Sequence, residues 1–261
     1  MSDLLTDAHR TTNRGRLATP LARIGVIIPT SNRLIEPQFQ HYAPVELGVH
    51  FARAQITGKW ERPLSGLAPE IARAARTLAD AKPDLIVFNC TGTSMKEGPE
   101  GDKYVLDLIR RETGIGALST ASAVVTALNA LGLRRLVLVT PYVQATNDHE
   151  IAYLRALGFD VVHDLALGLK GGDEFITVPP ERWVEIALAN DRPKADGYFL
   201  SCTNTTQIEA IEAIEEATGK PAVASNQAVL WACINRLRPV LQSIGLSSIP
   251  GRLSGLSIAA E

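Results

Sequence analysis

The chain has 261 residues, of which 46% are hydrophobic and 21% are charged, and its formal net charge is −2. This composition is that of an ordinary globular protein with one large domain or two of usual size. It excludes an extended basic surface for nucleic acid or membrane lipid, and no run of about 18 apolar residues predicts a membrane span. Residues 1–19 are polar and lack an apolar signal core, so we expect a loosely ordered leader on a cytoplasmic protein.

Predicted strands and helices alternate along the chain. The predicted strands cover residues 23–28, 45–53, 84–88, 115–118, 134–140, 159–162, 195–200 and 222–224. The predicted helices cover residues 69–81, 101–113, 119–131, 147–157, 179–189, 206–218 and 228–236. Repeated strand–helix order with apolar strands is typical of α/β proteins, in which parallel sheets carry helices on both faces.

The two halves of the chain repeat this order. Pro29 and Cys90, which follow two strands of the first half, are separated by 61 positions, and so are Pro141 and Cys202 in the second half. Similar elements also follow each cysteine, which indicates an internal repeat. We therefore predict two pseudo-symmetric α/β lobes, each a parallel sheet flanked by helices, with the active site in the cleft between them. The predicted lobes comprise residues 20–122 with 226–261, and residues 123–225.

Cys90 and Cys202 are the candidate catalytic residues. Each follows a buried strand, at the sheet edge where open α/β sheets bind ligands. The small hydroxyl residues after each cysteine leave backbone N–H groups free to hold an anion. A thiolate is a nucleophile or a proton-transfer base. A cysteine is also a common core residue, and we interpret Cys233 in this way because it lies within an apolar helix.

Polar residues beside the two cysteines are candidates for binding carboxylates. Asn32 follows the first strand, and Tyr142 takes the corresponding place in the second half. Each also has a plainer interpretation, Asn32 as a turn residue and Tyr142 as packing. The other candidates, which could instead only cap the next helix, are Thr91, Gly92, Thr93, Thr203 and Asn204.

Several other features carry no functional signal. The histidines have no motif around them, so we expect them at the surface or in the core. The stretch Lys170-Gly171-Gly172-Asp173 predicts a turn. With an odd number of cysteines we expect no disulfide, and no Cys or His spacing suggests a metal site. Nucleotide-binding loops and a serine nucleophile elbow are absent.

These motifs resemble those of the aspartate/glutamate racemase superfamily, and within it the branch of maleate cis-trans isomerases and arylmalonate decarboxylases. The resemblance covers about residues 23–237. It is carried by Pro29-Thr30-Ser31-Asn32, Asn89-Cys90-Thr91-Gly92-Thr93-Ser94, Thr140-Pro141-Tyr142, Ser201-Cys202-Thr203-Asn204-Thr205, and Gly219-Lys220-Pro221 through Ser225-Asn226-Gln227-Ala228. It implies an enzyme without a cofactor, made of two pseudo-symmetric lobes with the active site between them.

The resemblance also bears on the reaction. Racemases and maleate isomerases of this kind use one cysteine from each lobe, whereas the decarboxylases have a glycine at the first position. Cysteine at both positions therefore favours an isomerase or racemase, and Ser31-Asn32 resembles the carboxylate-binding asparagine of the isomerases. Neither cysteine is followed by the Asn-Thr of amino-acid racemases, which gives a standard racemase less support. Gly92-Thr93-Ser94 resembles the decarboxylase dioxyanion loop, displaced by two residues, so that alternative stays open.

We expect an enzyme that converts a small cis-dicarboxylate such as maleate to its trans form. Cys90, as the thiolate, adds to the double bond and Cys202 supplies the proton. The alternatives are racemisation or decarboxylation next to a carboxylate, and a two-lobed module that only senses a dicarboxylate. The expected partner is the small dicarboxylate, without nucleic acid or membrane, and homo-oligomerisation stays open. The sequence does not name the substrate or settle which cysteine is the nucleophile.

Overall fold

The computed structural model describes residues 19–241 and 249–257. The predicted leader, apart from Thr19, and part of the C-terminal tail lie outside these described residues. The strands are β1 (Ala22–Pro29), β2 (Leu47–Ala54), β3 (Leu85–Phe88), β4 (Ala117–Ser119), β5 (Arg135–Thr140), β6 (Asp160–Ala166), β7 (Gly197–Leu200) and β8 (Ala222–Ala224). The helices are α1 (Ile35–Tyr42), α2 (Leu64–Ala79), α3 (Thr91–Met95), α4 (Gly98–Thr113), α5 (Thr120–Ala130), α6 (Gln144–Ala156), α7 (Gly172–Phe175), α8 (Pro180–Ala189), α9 (Ile211–Thr218), α10 (Ser225–Arg236) and α11 (Arg238–Leu241). Short 3-10 turns cover Gly58–Trp60, Ile208–Ala210 and Arg252–Gly255.

The strands form two parallel sheets with the same topology. The first sheet has the order β2-β1-β3-β4, and the second has the order β6-β5-β7-β8. Strands β3 and β7, which lead to the two cysteines, are buried at every position. They are continuous apolar runs because helices cover both faces of each sheet. The prediction of two lobes, each a parallel sheet flanked by helices, is confirmed.

The repeat extends to the hydrogen bonds where the central strands begin. The backbone N–H of Arg23 donates to the carboxylate of Asp84 at 2.8 Å. In the second sheet the backbone N–H of Arg135 donates to the carboxylate of Asp196, also at 2.8 Å. Asp84 therefore fixes the start of β1 against β3, and Asp196 fixes the start of β5 against β7.

Three hydrophobic layers hold the sheets in place. Helices α2 and α4 cover the outer face of the first sheet, and helices α8 and α9 cover the outer face of the second. Helices α1, α5, α6 and α10 contribute to a central core that takes side chains from both sheets. The two halves therefore share their largest core. The lobe boundaries at residues 122 and 225 stay a prediction.

Several elements differ from the sequence-based expectation, and three of them have a clear physical reason. Helix α2 begins at Leu64 rather than at Pro69, because Leu64 and Leu67 are fully buried and extend its apolar face past the proline. Helix α1 was not predicted, since the polar Gln38 interrupts its buried face. Strand β6 runs four residues beyond its predicted end at Val162 because, at the edge of the sheet, it accommodates polar side chains.

A buried polar network joins the loops of the two sheets. We call it the interlobe seam, and it consists of Asn32, Gln38, Thr203, Thr205 and Asn226. The Asn32 amide donates to the Thr203 carbonyl at 3.0 Å, and the Gln38 amide donates to the Thr205 carbonyl at 2.9 Å. The Asn226 amide donates to the Thr203 carbonyl at 3.0 Å and to the Gln38 side-chain oxygen at 2.5 Å. Because the groups are buried, each depends on its partner to replace water.

We expect Gln38→Ala to destabilise the protein by about 2 kcal/mol, because it leaves Asn226 and the Thr205 carbonyl without this buried partner. Urea unfolding followed by circular dichroism measures the change. Gln144→Ala is the matched control, since Gln144 makes an exposed hydrogen bond to Asp148, and we expect a loss below about 0.5 kcal/mol. Equal losses in the two variants would contradict a stabilising role for the interlobe seam.

Candidate active site

A cavity of about 460 Å³ lies where the carboxyl ends of both sheets meet. Cys90 and Cys202 both line it, and their exposed fractions are only 7% and 6%. The other predicted site residues in its wall are Asn32, Gly92, Thr93, Tyr142, Thr203 and Asn204. Thr91 is not among the lining residues, because its hydroxyl is turned to Ser225 at 2.9 Å.

Cys90 lies at the N-cap of α3, directly after β3. The Thr93 hydroxyl lies 3.1 Å from its sulfur, and the thiol donates to this oxygen when it is protonated. Burial raises the pKa of the Cys90 thiol, while the hydroxyl and backbone N–H of Thr93 act against the shift. The resting thiol is therefore neutral, and the donors needed to stabilise a thiolate are already in place.

Cys202 is held differently. Its φ of 142° is rare for a residue with a side chain. Its backbone N–H donates to the Ser225 hydroxyl at 3.1 Å, and its sulfur accepts from the backbone N–H of Asn204 at 3.3 Å. Burial raises the pKa of the Cys202 thiol to about 12, although Tyr142 and Asn204 lower it. The pseudo-symmetry of the lobes is thus broken at the cysteines themselves.

Tyr142 supplies a hydroxyl donor in the cavity wall. Burial raises the pKa of Tyr142 well above its usual value, and charge on either cysteine raises it further. The hydroxyl therefore stays protonated and donates a hydrogen bond. Its ring packs edge-on against Phe175, with 5.6 Å between ring centroids, and a Cβ on Gly92 would lie 3.9 Å from it. Gly92 thus leaves the space between Tyr142 and the loop after Cys90 open.

Asn32 and Asn204 line the cavity while holding its wall together. The Asn32 side-chain oxygen accepts from the backbone N–H groups of Leu34 and Ile35, so it caps the start of α1. The Asn204 side-chain oxygen accepts from the backbone N–H of Arg33 at 2.8 Å. Both amides are therefore engaged with protein, and their contact with a substrate carboxylate stays a prediction.

Several lining residues were not predicted from the sequence. They are Thr57, Gly58, Lys59, Trp60, Glu61, Lys96, Val143, Thr146, His149, Leu169, Lys170, Gly171, Gly172 and Phe175. His149 is therefore part of the cavity wall. The Lys170 loop is more than a turn, since a Cβ on Gly172 would come within 3.0 Å of the Asn204 amide and 3.4 Å of the Ser31 carbonyl. The paired glycines were the available sequence signal for this close approach.

The cavity wall carries more positive than negative side chains. Lys59, Lys96 and Lys170 line it, whereas Glu61 is the one acid among the described residues that line it. Lys96 pairs with Glu61 at 2.8 Å, which leaves an excess of cationic groups that favours an anionic ligand. No group of three His, Cys, Asp or Glu side chains in the described residues could hold a metal ion. Within the same residues, no helix has the length and apolar character needed to span a membrane.

Comparison with known proteins identifies the family. The chain is 27% identical over 250 residues to a maleate isomerase of Geobacillus stearothermophilus, covering 90% of this chain and 97% of that protein. It is 28% identical over 152 residues to an arylmalonate decarboxylase of Bordetella bronchiseptica, covering 57% and 63%. A solved Nocardia farcinica maleate cis-trans isomerase, a cysteine-to-serine variant with a covalently bound succinylcysteine intermediate, superposes with a TM-score of 0.79. Its identity is 25%, and the match covers 89% of this chain and 98% of that one. The family model for arylmalonate decarboxylase matches residues 24–249, and the chain therefore belongs to this family.

Proposed function

We propose that this chain is a cis-trans isomerase of a small dicarboxylate, of the maleate-to-fumarate type. The observation that carries the proposal is the pair of cysteines, one from each sheet, that line one cavity rich in cationic side chains. A dianion is attracted by such a wall, and hydrogen-bond donors are present beside each sulfur. The solved relative supports covalent chemistry, because addition of a cysteine thiol to maleate gives a succinylcysteine.

The reaction begins once Cys90 has lost its proton to the solvent. Its sulfur forms a bond to one alkene carbon, and the electron pair of the double bond takes the proton of the Cys202 thiol at the neighbouring carbon. The result is a succinyl thioether on Cys90 and a thiolate at Cys202. Rotation about the new single bond is followed by return of the proton to Cys202 and loss of the Cys90 sulfur. This gives the trans product and restores the starting charge on each sulfur.

The donors around the sulfurs have distinct tasks in this scheme. Thr93 stabilises the Cys90 thiolate before addition, and Asn204 with Tyr142 stabilises the Cys202 thiolate after it. Because each sulfur carries the negative charge in turn, both need such donors. The substrate carboxylates bind Asn32, Tyr142 and the loops after the cysteines, beneath the cationic rim.

A second reaction class uses the same geometry. Cysteines from two lobes can act as acid and base on opposite faces of a carbon next to a carboxylate, which is racemisation or decarboxylation. The match to the arylmalonate decarboxylase model and to the Bordetella protein favours keeping decarboxylation as the alternative. A cytoplasmic location and homo-oligomerisation stay predictions.

We expect Cys90→Ala and Cys202→Ala each to lower the rate at which maleate becomes fumarate by at least about 10³-fold, since each removes a sulfur that forms or breaks a bond. The measurement is proton NMR of the reduced protein with maleate in deuterated buffer. Cys233→Ala is the matched control, because Cys233 is buried in the central core away from the cavity. It is expected to stay active.

The outcomes separate the hypotheses. A near wild-type rate for Cys90→Ala would rule out covalent addition through Cys90. If wild-type protein forms no fumarate, chiral acids and substituted malonates are tested next. Deuterium at the α-carbon would then indicate racemisation, and loss of carbon dioxide would indicate decarboxylation. Tight binding of maleate without any turnover would favour a sensor module.

We expect Tyr142→Phe to lower kcat by about 10²-fold, because it removes one donor to the sulfur and substrate while keeping the ring against Phe175. Initial rates over a range of maleate concentrations measure kcat and KM. Tyr153→Phe is the control, since Tyr153 lies on α6, the helix that follows Tyr142, but its hydroxyl donates to Asp102, away from the cavity. A Tyr142→Phe variant with unchanged kcat and KM would remove Tyr142 from the proposed mechanism.

A further inference from the structure

Glu150 is a buried acid directly behind the active site. It lies on α6, one turn after Thr146. Thr146 lines the cavity, and its methyl group would lie 3.4 Å from a Cβ placed on Gly92. The side chain of Glu150 is 0% exposed. Residues four positions apart lie on the same face of a helix, so Thr146 and Glu150 share one face of α6. Thr146 lies at the cavity wall, and Glu150 is buried one turn further along the helix.

The carboxyl group of Glu150 has no compensating partner in the described part of the chain. Neither of its oxygens has a hydrogen-bond partner, and none of the ion pairs between described residues includes it. The Ser201 hydroxyl, next to Cys202 in the chain, lies close enough to influence the acid without meeting hydrogen-bond geometry. A carboxylate buried without a cation or donors is strongly disfavoured, so the acid is protonated at neutral pH.

The position of Glu150 matters because both cysteines and Tyr142 lie within range of its charge. A negative charge on Glu150 raises the pKa of Cys90, of Cys202 and of Tyr142. The cavity is proposed to hold a dianion and one thiolate during the reaction. A further negative charge directly behind them would oppose both.

We propose that Glu150 is a positioning residue that sets the charge behind the cysteine pair: as a neutral acid it permits a thiolate and a dianion in the cavity, and as a carboxylate it opposes both. The part that concerns the dianion rests on the proposed function, whereas the part that concerns the thiols does not. Burial raises the pKa of Glu150 to about 8, with Ser201 acting against the shift. The change of charge thus falls at a lower pH than the ionisation of either thiol, because burial raises the pKa of both.

Several titratable groups on elements packed against α6 are engaged with other partners. These elements are α3, α4 and β6. Lys96, which follows α3, pairs with Glu61. Asp102 on α4 accepts from Tyr153, Asp164 on β6 accepts from Asn147, and His163 on β6 contacts Asn190 and Arg192. His149, on α6 itself, is exposed at the cavity. The negative charge of Glu61 also raises the pKa of Cys90. The other groups named here are not among the causes that shift the pKa of Cys90 or Cys202.

The test is the rate at which iodoacetamide alkylates Cys90, followed by mass spectrometry of its peptide from pH 6 to 10. Alkylation follows the thiolate fraction, which rises about tenfold per pH unit below the thiol pKa. In the wild type we expect this slope to flatten above pH 8 as Glu150 ionises. Glu150→Gln imitates the neutral acid, so we expect the full slope to continue and alkylation at pH 9.5 to be about tenfold faster than in the wild type.

Asp102→Asn is the matched control, because Asp102 is another buried acid packed against α6, with a pKa raised by burial to about 6. Its profile should keep the flattening seen in the wild type. Superimposable wild-type and Glu150→Gln profiles would overturn the proposal. If Glu150→Gln does not fold, a wild-type profile without any flattening between pH 7 and 9 overturns it as well.

A stability measurement reports on the charge of Glu150 separately. With a folded pKa of about 8, above the ordinary carboxyl value, the folded protein keeps a proton that the unfolded chain has lost. Its contribution to stability is therefore present at low pH and decreases between about pH 5 and 8. Glu150→Gln removes this decrease, so its melting temperature relative to that of the wild type should rise by roughly 10 °C over that range. A constant difference would show that Glu150 is ionised throughout.

These measurements do not need turnover. A protein that forms no fumarate but shows the altered alkylation profile would refute the isomerase proposal and leave the role of Glu150 standing. If the wild type forms fumarate and its alkylation profile is identical to that of Glu150→Gln, the isomerase proposal stands and the role of Glu150 is refuted.

Discussion

The interlobe seam is the constraint on which the active site depends. Two sheets that share only an apolar core could slide against each other at little cost, since apolar contacts are not directional. Hydrogen bonds have preferred distances and angles, and buried ones are costly to break. Asn32 and Asn226 both donate to the carbonyl of Thr203, the residue after Cys202. The network that holds the two lobes in position therefore also fixes the loop that carries one of the two proposed catalytic sulfurs.

The internal repeat explains the two similar sheets, and the differences between the two halves explain why the two cysteines have different surroundings. Equivalent strands place Cys90 and Cys202 at equivalent sheet edges. One cysteine then begins a helix, whereas the other takes a φ of 142° in a loop. A reaction in which one sulfur attacks and the other handles a proton needs two different surroundings. The two halves also differ on α1 and α6. Gln38 of the interlobe seam lies on a buried face of α1, and Glu150, which has no hydrogen-bond partner among the described residues, lies on a buried face of α6.

The fold was predictable where burial is complete. Strands such as β3 and β7 have covered faces, so they are unbroken apolar runs, and the repeated cysteine contexts drew attention to both sulfurs. Gln38 and Glu150 were missed because a polar residue normally marks the exposed face of a helix. Lys170 and Trp60 were missed because loops bring them to the cavity without any local periodicity. Such placements depend on contacts between segments distant in the chain.

The burial of the two sulfurs has a consequence for the lifetime of the protein. Peroxides and other oxidants react with thiolates much faster than with thiols. Cys90 and Cys202 are neutral at rest and only 7% and 6% exposed, so each presents the slowly oxidised form to its surroundings. In the proposed reaction a thiolate arises mainly during the catalytic cycle, when bound substrate occupies the approach to it. Ligand occupancy and resting neutrality together protect residues that have no replacement in the site.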